Sequence, residues 1–162
     1  SMLGELKGLE MGFKAPTFSM VSGAPFNSDQ AYKDSKLCNV MTTLELSRRL
    51  KQEKSQVTCT CMSPGLIPTT GLFREYNPYL VWIFNYFMLN VFKVAVSEEE
   101  GGKRLAELID SDAVEGMTGV YFARNSKTGK FEEVAPSEEA QDIKKASKLW
   151  TLTHKLIQSD KE

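Results

Sequence analysis

The chain has few residues of the kinds that bind metals or form disulfide frameworks. It contains one histidine and three cysteines in 162 residues, and the cysteines are Cys38, Cys59 and Cys61. Their number is odd, and no CxxC spacing or neighbouring histidine provides the ligand set that zinc requires. We therefore expect reduced thiols in a reducing compartment and no metal site.

Neither sign of charge dominates, and long apolar runs are missing. The formal net charge is -1, with acidic and basic residues interspersed along the chain. Without a basic patch there is no electrostatic footprint for a phosphate backbone, so we expect no nucleic-acid partner. The longest apolar run, residues 79–92, is interrupted by Asn85 and Asn90. It is also shorter than the roughly 20 residues of a membrane-spanning helix, so we expect no transmembrane segment.

The order of predicted elements is that of an incomplete α/β fold. Capping signals and hydrophobic periodicity predict a loop over 1–27, a helix over 28–54, a strand over 57–62, a helix over 97–111, a strand over 119–123 and a helix beginning at Pro136-Ser137. Alternating helices and strands are typical of a Rossmann-like doubly wound parallel sheet. Two strands are too few for such a sheet, and no G-x-G-x-x-G turn follows either of them. We therefore predict the C-terminal part of this fold, with the upstream strands absent from this chain.

Apolar residues at helical spacing predict the buried face of each helix. The predicted positions are Leu37, Val40, Met41 and Leu44 in the first helix, Leu105, Leu108 and Ile109 in the second, and Ile143, Ala146, Leu149, Trp150, Thr153 and Ile157 in the third. Gly101 and Gly102 weaken the second helix by up to about 1 kcal/mol each, so packing must hold it.

Tyr32 and Lys36 lie four residues apart on the first predicted helix. One helical turn places them on the same face. A cation near a phenol stabilises the phenolate, so the phenolic proton becomes easier to transfer and Tyr32 is a candidate general acid. Taken alone, the spacing also occurs by chance on amphipathic helices, and the neighbouring segments have to decide between the two readings.

The order of a Tyr-x-x-x-Lys helix, a buried strand and a Pro-Gly turn resembles the second half of the short-chain dehydrogenases/reductases. The turn is Ser63-Pro64-Gly65-Leu66-Ile67-Pro68-Thr69. Three further pieces, Gly12-Phe13-Lys14-Ala15-Pro16, Thr70-Gly71-Leu72-Phe73-Arg74-Glu75 and Val96-Ser97-Glu98-Glu99, resemble the light-dependent protochlorophyllide oxidoreductases of that superfamily. The resemblance extends from about Leu3 to Ile157, nearly the whole chain.

The resemblance implies an NADPH-dependent reductase of a plastid, or of the cytoplasm in a bacterium. Hydride would reach the C17=C18 bond of protochlorophyllide after the pigment absorbs light, with Tyr32 giving the proton and Lys36 holding the nicotinamide ribose. The implied cofactor-binding residues are Tyr32, Lys36, Pro64, Gly65, Ile67 and Thr69. The residues that distinguish NADP from NAD, and the glycine-rich turn, would lie upstream of the point matching Ser1.

The same resemblance implies a substrate region around the turn and the aromatic segment that follows it. Its predicted members are Leu66, Phe73, Tyr76, Trp82 and Phe84. Flat aromatic side chains suit a planar tetrapyrrole, although such stripes also serve as core, peripheral membrane contacts or oligomer interfaces. Leu66 departs from the family, which carries a cysteine directly after the Pro-Gly pair, and leucine cannot donate or accept a hydrogen bond there.

We predict one partial domain over 1–162. It would consist of the loop 1–27, the catalytic helix, strand and cofactor turn over 28–74, a substrate lid over 75–95, and the remaining helices and strand over 96–162. Its partners would be a small hydrophobic substrate and the upstream half of the fold. Two alternatives stay open: a short-chain reductase for another hydrophobic carbonyl compound, and a non-catalytic binding module on this fold.

Overall fold

A computed structural model describes residues 28–68, 77–91 and 95–159. The helices are α1 (Ser28–Gln52), α2 (Pro78–Tyr86, continued by a π-helix over Phe87–Val91), α3 (Glu98–Asp110, followed by a 3₁₀ turn over Asp112–Val114) and α4 (Ile143–Ser159). The strands are β1 (Cys61–Met62), β2 (Tyr121–Arg124) and β3 (Phe131–Glu133). The predicted loop 1–27 lies outside the described residues.

The described residues divide into two compact units. The first unit contains residues 28–61, 118–121 and 135–159. The second unit contains residues 62–68, 77–91, 95–117 and 122–134. The prediction of a single partial domain is not tested by this division, and each unit is described by itself below.

In the first unit, α1 packs against α4. Leu37 and Met41 of α1 are fully buried, as are Ala146 and Leu149 of α4, which confirms the central positions of both predicted stripes. Removing such side chains from water is the main favourable term for the pair of helices. Two outer positions of the α4 stripe were wrong: Ile143 at the first residue of the helix and Ile157 near its end are more than half exposed.

An ion-pair network lies on α1 beside this core. The buried Glu45 carboxylate accepts hydrogen bonds from Arg48 Nη2 at 2.7 Å and from Arg49 Nε at 2.8 Å. The Arg49 guanidinium in turn lies 4.9 Å from the ring centroid of Trp150 on α4. A buried carboxylate needs such charged donors to offset its loss of hydration, so the network accounts for Glu45 in this position.

The strands form one sheet in the order β1-β2-β3. Cys61 N donates to Val120 O at 3.1 Å and Ser63 N donates to Phe122 O at 2.8 Å. From the first bond to the second, the residue numbers increase by two on both strands, so β1 and β2 are parallel, as predicted. β3 pairs with β2 in antiparallel register, with Arg124 opposite Phe131, so the small sheet is mixed rather than purely parallel.

β3 was missed by the sequence analysis, and β1 is shorter than predicted. The segment Phe131–Glu133 has three residues, two of them glutamates, and carries no alternating pattern. In the predicted strand 57–62, only Cys61 and Met62 are in regular pairing. Before them, Cys59 O accepts from Gly119 N at 2.8 Å, but Cys59 N donates to the Thr118 hydroxyl at 3.0 Å, so a side chain supplies one of the two bonds there.

In the second unit, α3 follows its cap residue Ser97, at the predicted start of the helix over 97–111. Of its three predicted buried residues, Leu108 is half-buried and the other two are wrong. Glu100 N donates to Ser97 Oγ at 3.1 Å, which satisfies one of the free amides of the first turn. Leu105 and Ile109 are 52% and 78% exposed, whereas Gly101 is buried. The helix therefore packs with its glycine side towards the turn after β1.

Among the helices that the structure describes, none has the length and apolarity to span a bilayer.

Candidate active-site residues

The predicted contact between Tyr32 and Lys36 is present on α1. Lys36 Nζ lies 5.1 Å from the centroid of the Tyr32 ring, which is cation-π distance. The backbone around them is helical, and the Ser35 hydroxyl donates to Tyr32 O at 2.7 Å. The ammonium therefore faces the phenol ring one helical turn away.

Both side chains of this pair are accessible. Tyr32 is 49% exposed, and Lys36 is also exposed. Among the described residues, no carboxylate forms an ion pair with Lys36. Asn39, one turn further along α1, is exposed as well, and its carbonyl accepts from the Thr43 hydroxyl at 3.0 Å.

The turn after β1 requires glycine at position 65. Gly65 has φ of 102°, in the region that side chains rarely adopt, and a Cβ there would lie 2.9 Å from Val96 Cγ2. The next residue, Leu66, forms a parallel bridge with Ala95, and its carbonyl accepts from Val96 N at 2.8 Å. The segment 95–96 thus fixes the second half of the turn.

The first half of the turn is held by Arg104 of α3. Its Nη1 donates to Pro64 O at 2.8 Å, and its Nε donates to Glu100 Oε1 at 3.2 Å. The guanidinium also lies 5.1 Å from the centroid of the Phe131 ring on β3. Only 12% of the Arg104 side chain is exposed, so one cation joins the turn, the helix and the hairpin.

Ile67 of the turn packs against α3 at Gly101. A Cβ on Gly101 would lie 2.6 Å from Ile67 Cδ1 and 3.8 Å from Pro64 Cβ, so the absent side chain allows the helix to approach the turn closely. Thr69, the last predicted cofactor residue, lies outside the described residues, as do Phe73 and Tyr76 of the predicted substrate region.

The described aromatic segment is a helix with one exposed aromatic face. It begins at the Asn77 cap, whose side chain accepts from Tyr79 N at 2.9 Å, with Pro78 at the first helical position. Trp82 is stacked with Tyr79 and with Tyr86, each at 6.4 Å between ring centroids. These three rings are all more than half exposed, whereas Phe84 is half-buried.

Comparison with known proteins gives relatives along nearly the whole chain. Protochlorophyllide reductase B of Hordeum vulgare is 43% identical over 156 residues, and protochlorophyllide reductase B of Oryza sativa subsp. japonica is 44% identical over 156 residues. Protochlorophyllide reductase A of Oryza sativa subsp. japonica is 43% identical over 157 residues. Each alignment covers 96% of this chain, and all three relatives are named chloroplastic.

The chain is homologous to the C-terminal half of protochlorophyllide reductases. It spans 38% to 40% of the length of these relatives. No protein-family model matches the chain. The resemblance predicted from the Tyr-x-x-x-Lys helix and the neighbouring motifs is thereby confirmed, and the mixed helix-and-strand architecture is consistent with part of a Rossmann-like fold.

Within this protochlorophyllide reductase homologue, Leu66 is half-buried in the turn. Its backbone is committed to the bridge with Ala95, so its side chain is the group that a ligand could meet. The residue supplies an apolar surface at the position where the sequence analysis expected a cysteine, and proton exchange through that side chain is excluded.

Asn85 is a polar residue that the sequence analysis treated only as an interruption of an apolar run. Its Oδ1 is buried and is the only such side-chain oxygen or nitrogen within the described ranges that lacks a hydrogen-bond partner. An unpaired buried acceptor costs free energy, and no described partner offsets that cost at Asn85. The one sequence signal for it is an amide within an apolar helix.

The three cysteines are free thiols, and each is half-buried. Burial raises the pKa of Cys61 to about 11, with a smaller opposing contribution from a hydrogen bond to Thr43. The pKa of Cys38 is also raised, mainly by burial and further by the negative charge of Asp34. In the part of the chain that the structure describes, no group of three potential metal ligands exists.

Proposed function

We propose that this chain is the C-terminal catalytic part of an NADPH-dependent short-chain reductase that reduces protochlorophyllide. The observation that carries the proposal is the Tyr32–Lys36 contact, with Nζ 5.1 Å from the ring centroid, in a homologue of reductases that act on this substrate by name. The chloroplastic names of the relatives support a plastid location and a part in chlorophyll biosynthesis.

In the proposed reaction, Tyr32 donates the phenolic proton to one carbon of the C17=C18 bond. NADPH, when bound, supplies the hydride that reaches the other carbon with both electrons. The double bond becomes a single bond, and the tyrosinate regains its proton from solvent. Lys36 holds the nicotinamide ribose through hydrogen bonds from its ammonium and stabilises the negative charge left on Tyr32.

The turn at Pro64, Gly65 and Ile67 would hold the nicotinamide end of the cofactor. It follows a parallel strand, where doubly wound folds bind their ligands, and Gly65 has no side chain to block a close approach of the backbone. These features fit a dinucleotide. Thr69 remains a predicted contact, and the choice of NADP over NAD is part of the proposal.

The aromatic face of α2 supports a planar pigment as the substrate. Tyr79, Trp82 and Tyr86 stack along one side of the helix and stay exposed, which leaves their ring faces for a flat ligand. We propose Leu66, Phe73, Tyr76, Trp82 and Phe84 as substrate contacts. Leu66 also permits a second candidate, a reductase of another hydrophobic carbonyl compound, because its apolar side chain makes no demand specific to the pigment.

The test uses the full-length protein with NADPH and protochlorophyllide, first in darkness and then in light. Tyr32→Phe removes the proton donor, so we expect light-driven product formation to fall by about 10²- to 10⁴-fold. Lys36→Met should reduce it as well, whereas Lys33→Met, an exposed lysine on the same helix, should leave it unchanged.

Two other outcomes of this experiment would contradict the proposed function. Turnover of a ketone in darkness, with no product from the pigment, would favour the second candidate. Absence of any turnover in the wild type, with no change on Tyr32→Phe, would favour a non-catalytic binding module.

A further inference from the structure

Arg104 lies outside the predicted catalytic and cofactor residues, yet it is bound directly to the turn that we assign to the cofactor. Its Nη1 donates to Pro64 O at 2.8 Å across 40 residues of sequence. A hydrogen bond from a charged donor is about twice as strong as a neutral one. The low exposure of Arg104, 12%, reduces its screening by water.

The turn needs such an external contact because of Gly65. Glycine reaches φ of 102° without steric cost, but it reaches many other conformations equally well. The turn conformation is therefore set by the groups that bind the carbonyls on either side of it. Val96 N holds Leu66 O on one side, and Arg104 holds Pro64 O on the other.

The other partners of Arg104 keep its guanidinium in this position. Glu100, one turn earlier on α3, accepts from Nε, and the Phe131 ring lies 5.1 Å from the guanidinium carbon. The planar guanidinium can serve a carbonyl, a carboxylate and an aromatic ring at once, which an ammonium cannot. The cation is thus oriented before any ligand binds.

We infer that Arg104 is a positioning residue for the cofactor: it fixes the Pro64 carbonyl and thereby the backbone conformation of Gly65 at the nicotinamide end of the dinucleotide. The inference rests on the proposed function, since it requires that this turn hold NADPH. Arg104 itself does not touch the reacting atoms. Its loss should weaken cofactor binding much more than it slows the reaction at saturating cofactor.

The test measures NADPH binding in darkness by the fluorescence of the reduced nicotinamide, using the full-length protein. Arg104→Met keeps the apolar stem and removes the donors, so we expect the NADPH Kd to rise about tenfold. Product formed per unit of light at saturating NADPH should change by less than about threefold, because Tyr32 and Lys36 are intact.

The matched control is Arg124→Met. Arg124 is an exposed arginine whose Nε also donates to a loop carbonyl, Gly129 O at 3.3 Å, but in the hairpin turn. Glu100→Gln removes the ion pair and leaves the bond to Pro64. Both controls should keep the Kd within about twofold of the wild type even where the melting temperature falls. A Kd that follows the melting temperature equally in all three variants would reduce Arg104 to a stabilising residue and overturn the inference.

Arg104→Lys serves as the second variant if the methionine variant does not fold. Lysine keeps the charge but loses the planar fork, so we expect a folded protein with a Kd raised about threefold. Wild-type binding by a folded lysine variant, together with an unfolded methionine variant, would overturn the positioning role. If the wild type binds no NADPH, the proposed function fails and the positioning role fails with it; normal wild-type binding unchanged in Arg104→Met overturns the positioning role alone.

Discussion

At the scale of single residues, local spacing and burial decide different things. The Tyr32–Lys36 contact follows from one turn of helix, so it is already contained in the sequence. The acidity of the Cys61 thiol is not contained in the sequence, because it depends on how deeply the folded chain buries the sulfur. Burial raises the pKa of Cys61 to about 11, well above the value of 9.0 for an exposed thiol.

Cys61 should therefore resist alkylation in the folded protein. The thiolate is the reactive form, and a pKa raised from 9.0 to about 11 lowers the thiolate fraction at pH 8 about a hundredfold. We expect iodoacetamide to modify Cys61 about a hundred times more slowly in native protein than in urea, as followed by mass spectrometry of its peptide. Equal rates in the two conditions would contradict this assignment.

The same pKa shift makes stability depend on alkaline pH. The Cys61 thiol holds its proton more tightly in the folded state than in the unfolded state. Its contribution to the free energy of unfolding is therefore fully present below pH 9 and is lost as the pH rises towards about 11. The melting temperature should fall over this interval, and part of the fall should disappear in Cys61→Ala.

At the scale of elements, α3 shows how one helix can carry two glycines for different reasons. Both glycines reduce helix propensity by the same amount, so the local sequence gives no basis for distinguishing them. In the structure Gly101 is buried against Ile67, whereas a Cβ on Gly102 would meet no atom within 4 Å. Only the first glycine is required by packing.

The two alanine variants should therefore differ in stability. Gly102→Ala gains helix propensity without a clash, which should raise the free energy of unfolding by about 0.5–1 kcal/mol. Gly101→Ala places a methyl 2.6 Å from Ile67 Cδ1, so the end of the Ile67 side chain must shift. We expect Gly101→Ala to be about 1–2 kcal/mol less stable than Gly102→Ala in urea unfolding. Similar stabilities would mean that Ile67 moves aside at no cost.

At the scale of the molecule, tertiary contact divides the apolar residues of α4 into those that support the fold and those that do not. Leu149 is 1% exposed and packs in the α1–α4 core, whereas Ile157 on the same helix is 55% exposed. The hydrophobic period of the sequence contains both and does not separate them.

Leu149→Ala should cost about 2–5 kcal/mol of stability, because it removes buried methyl groups and leaves a cavity. Ile157→Ala should change stability by less than about 1 kcal/mol, since most of its surface is already in water. Chemical denaturation of both variants at one temperature makes the comparison. A large effect of Ile157→Ala would show that a further surface covers the end of α4.

Those parts of the fold that depend on neighbours in sequence could be predicted. The stripe around Leu37 and Met41, the Ser97 cap and the order of the main elements follow from local periodicity and capping. β3 could not be predicted, because three residues with two glutamates carry no strand pattern and gain their structure from β2. The prediction that Leu105 and Ile109 are buried was wrong for a related reason. Hydrophobic periodicity predicts which residues share one face of a helix, but it does not predict which element packs against that face.

The sequence by itself determined the reductase homology, the helix that joins Tyr32 to Lys36 and the glycine in the turn after β1. These depend on residues within a few positions of one another, where covalent geometry limits the choices. Tertiary structure alone decided that Arg104 donates a hydrogen bond to Pro64 O and that Gly101 rather than Gly102 faces the turn. It also decided that the pKa of the Cys61 thiol is raised. Each of these depends on atoms from distant positions that meet only when the chain has folded, and on the loss of water that burial brings.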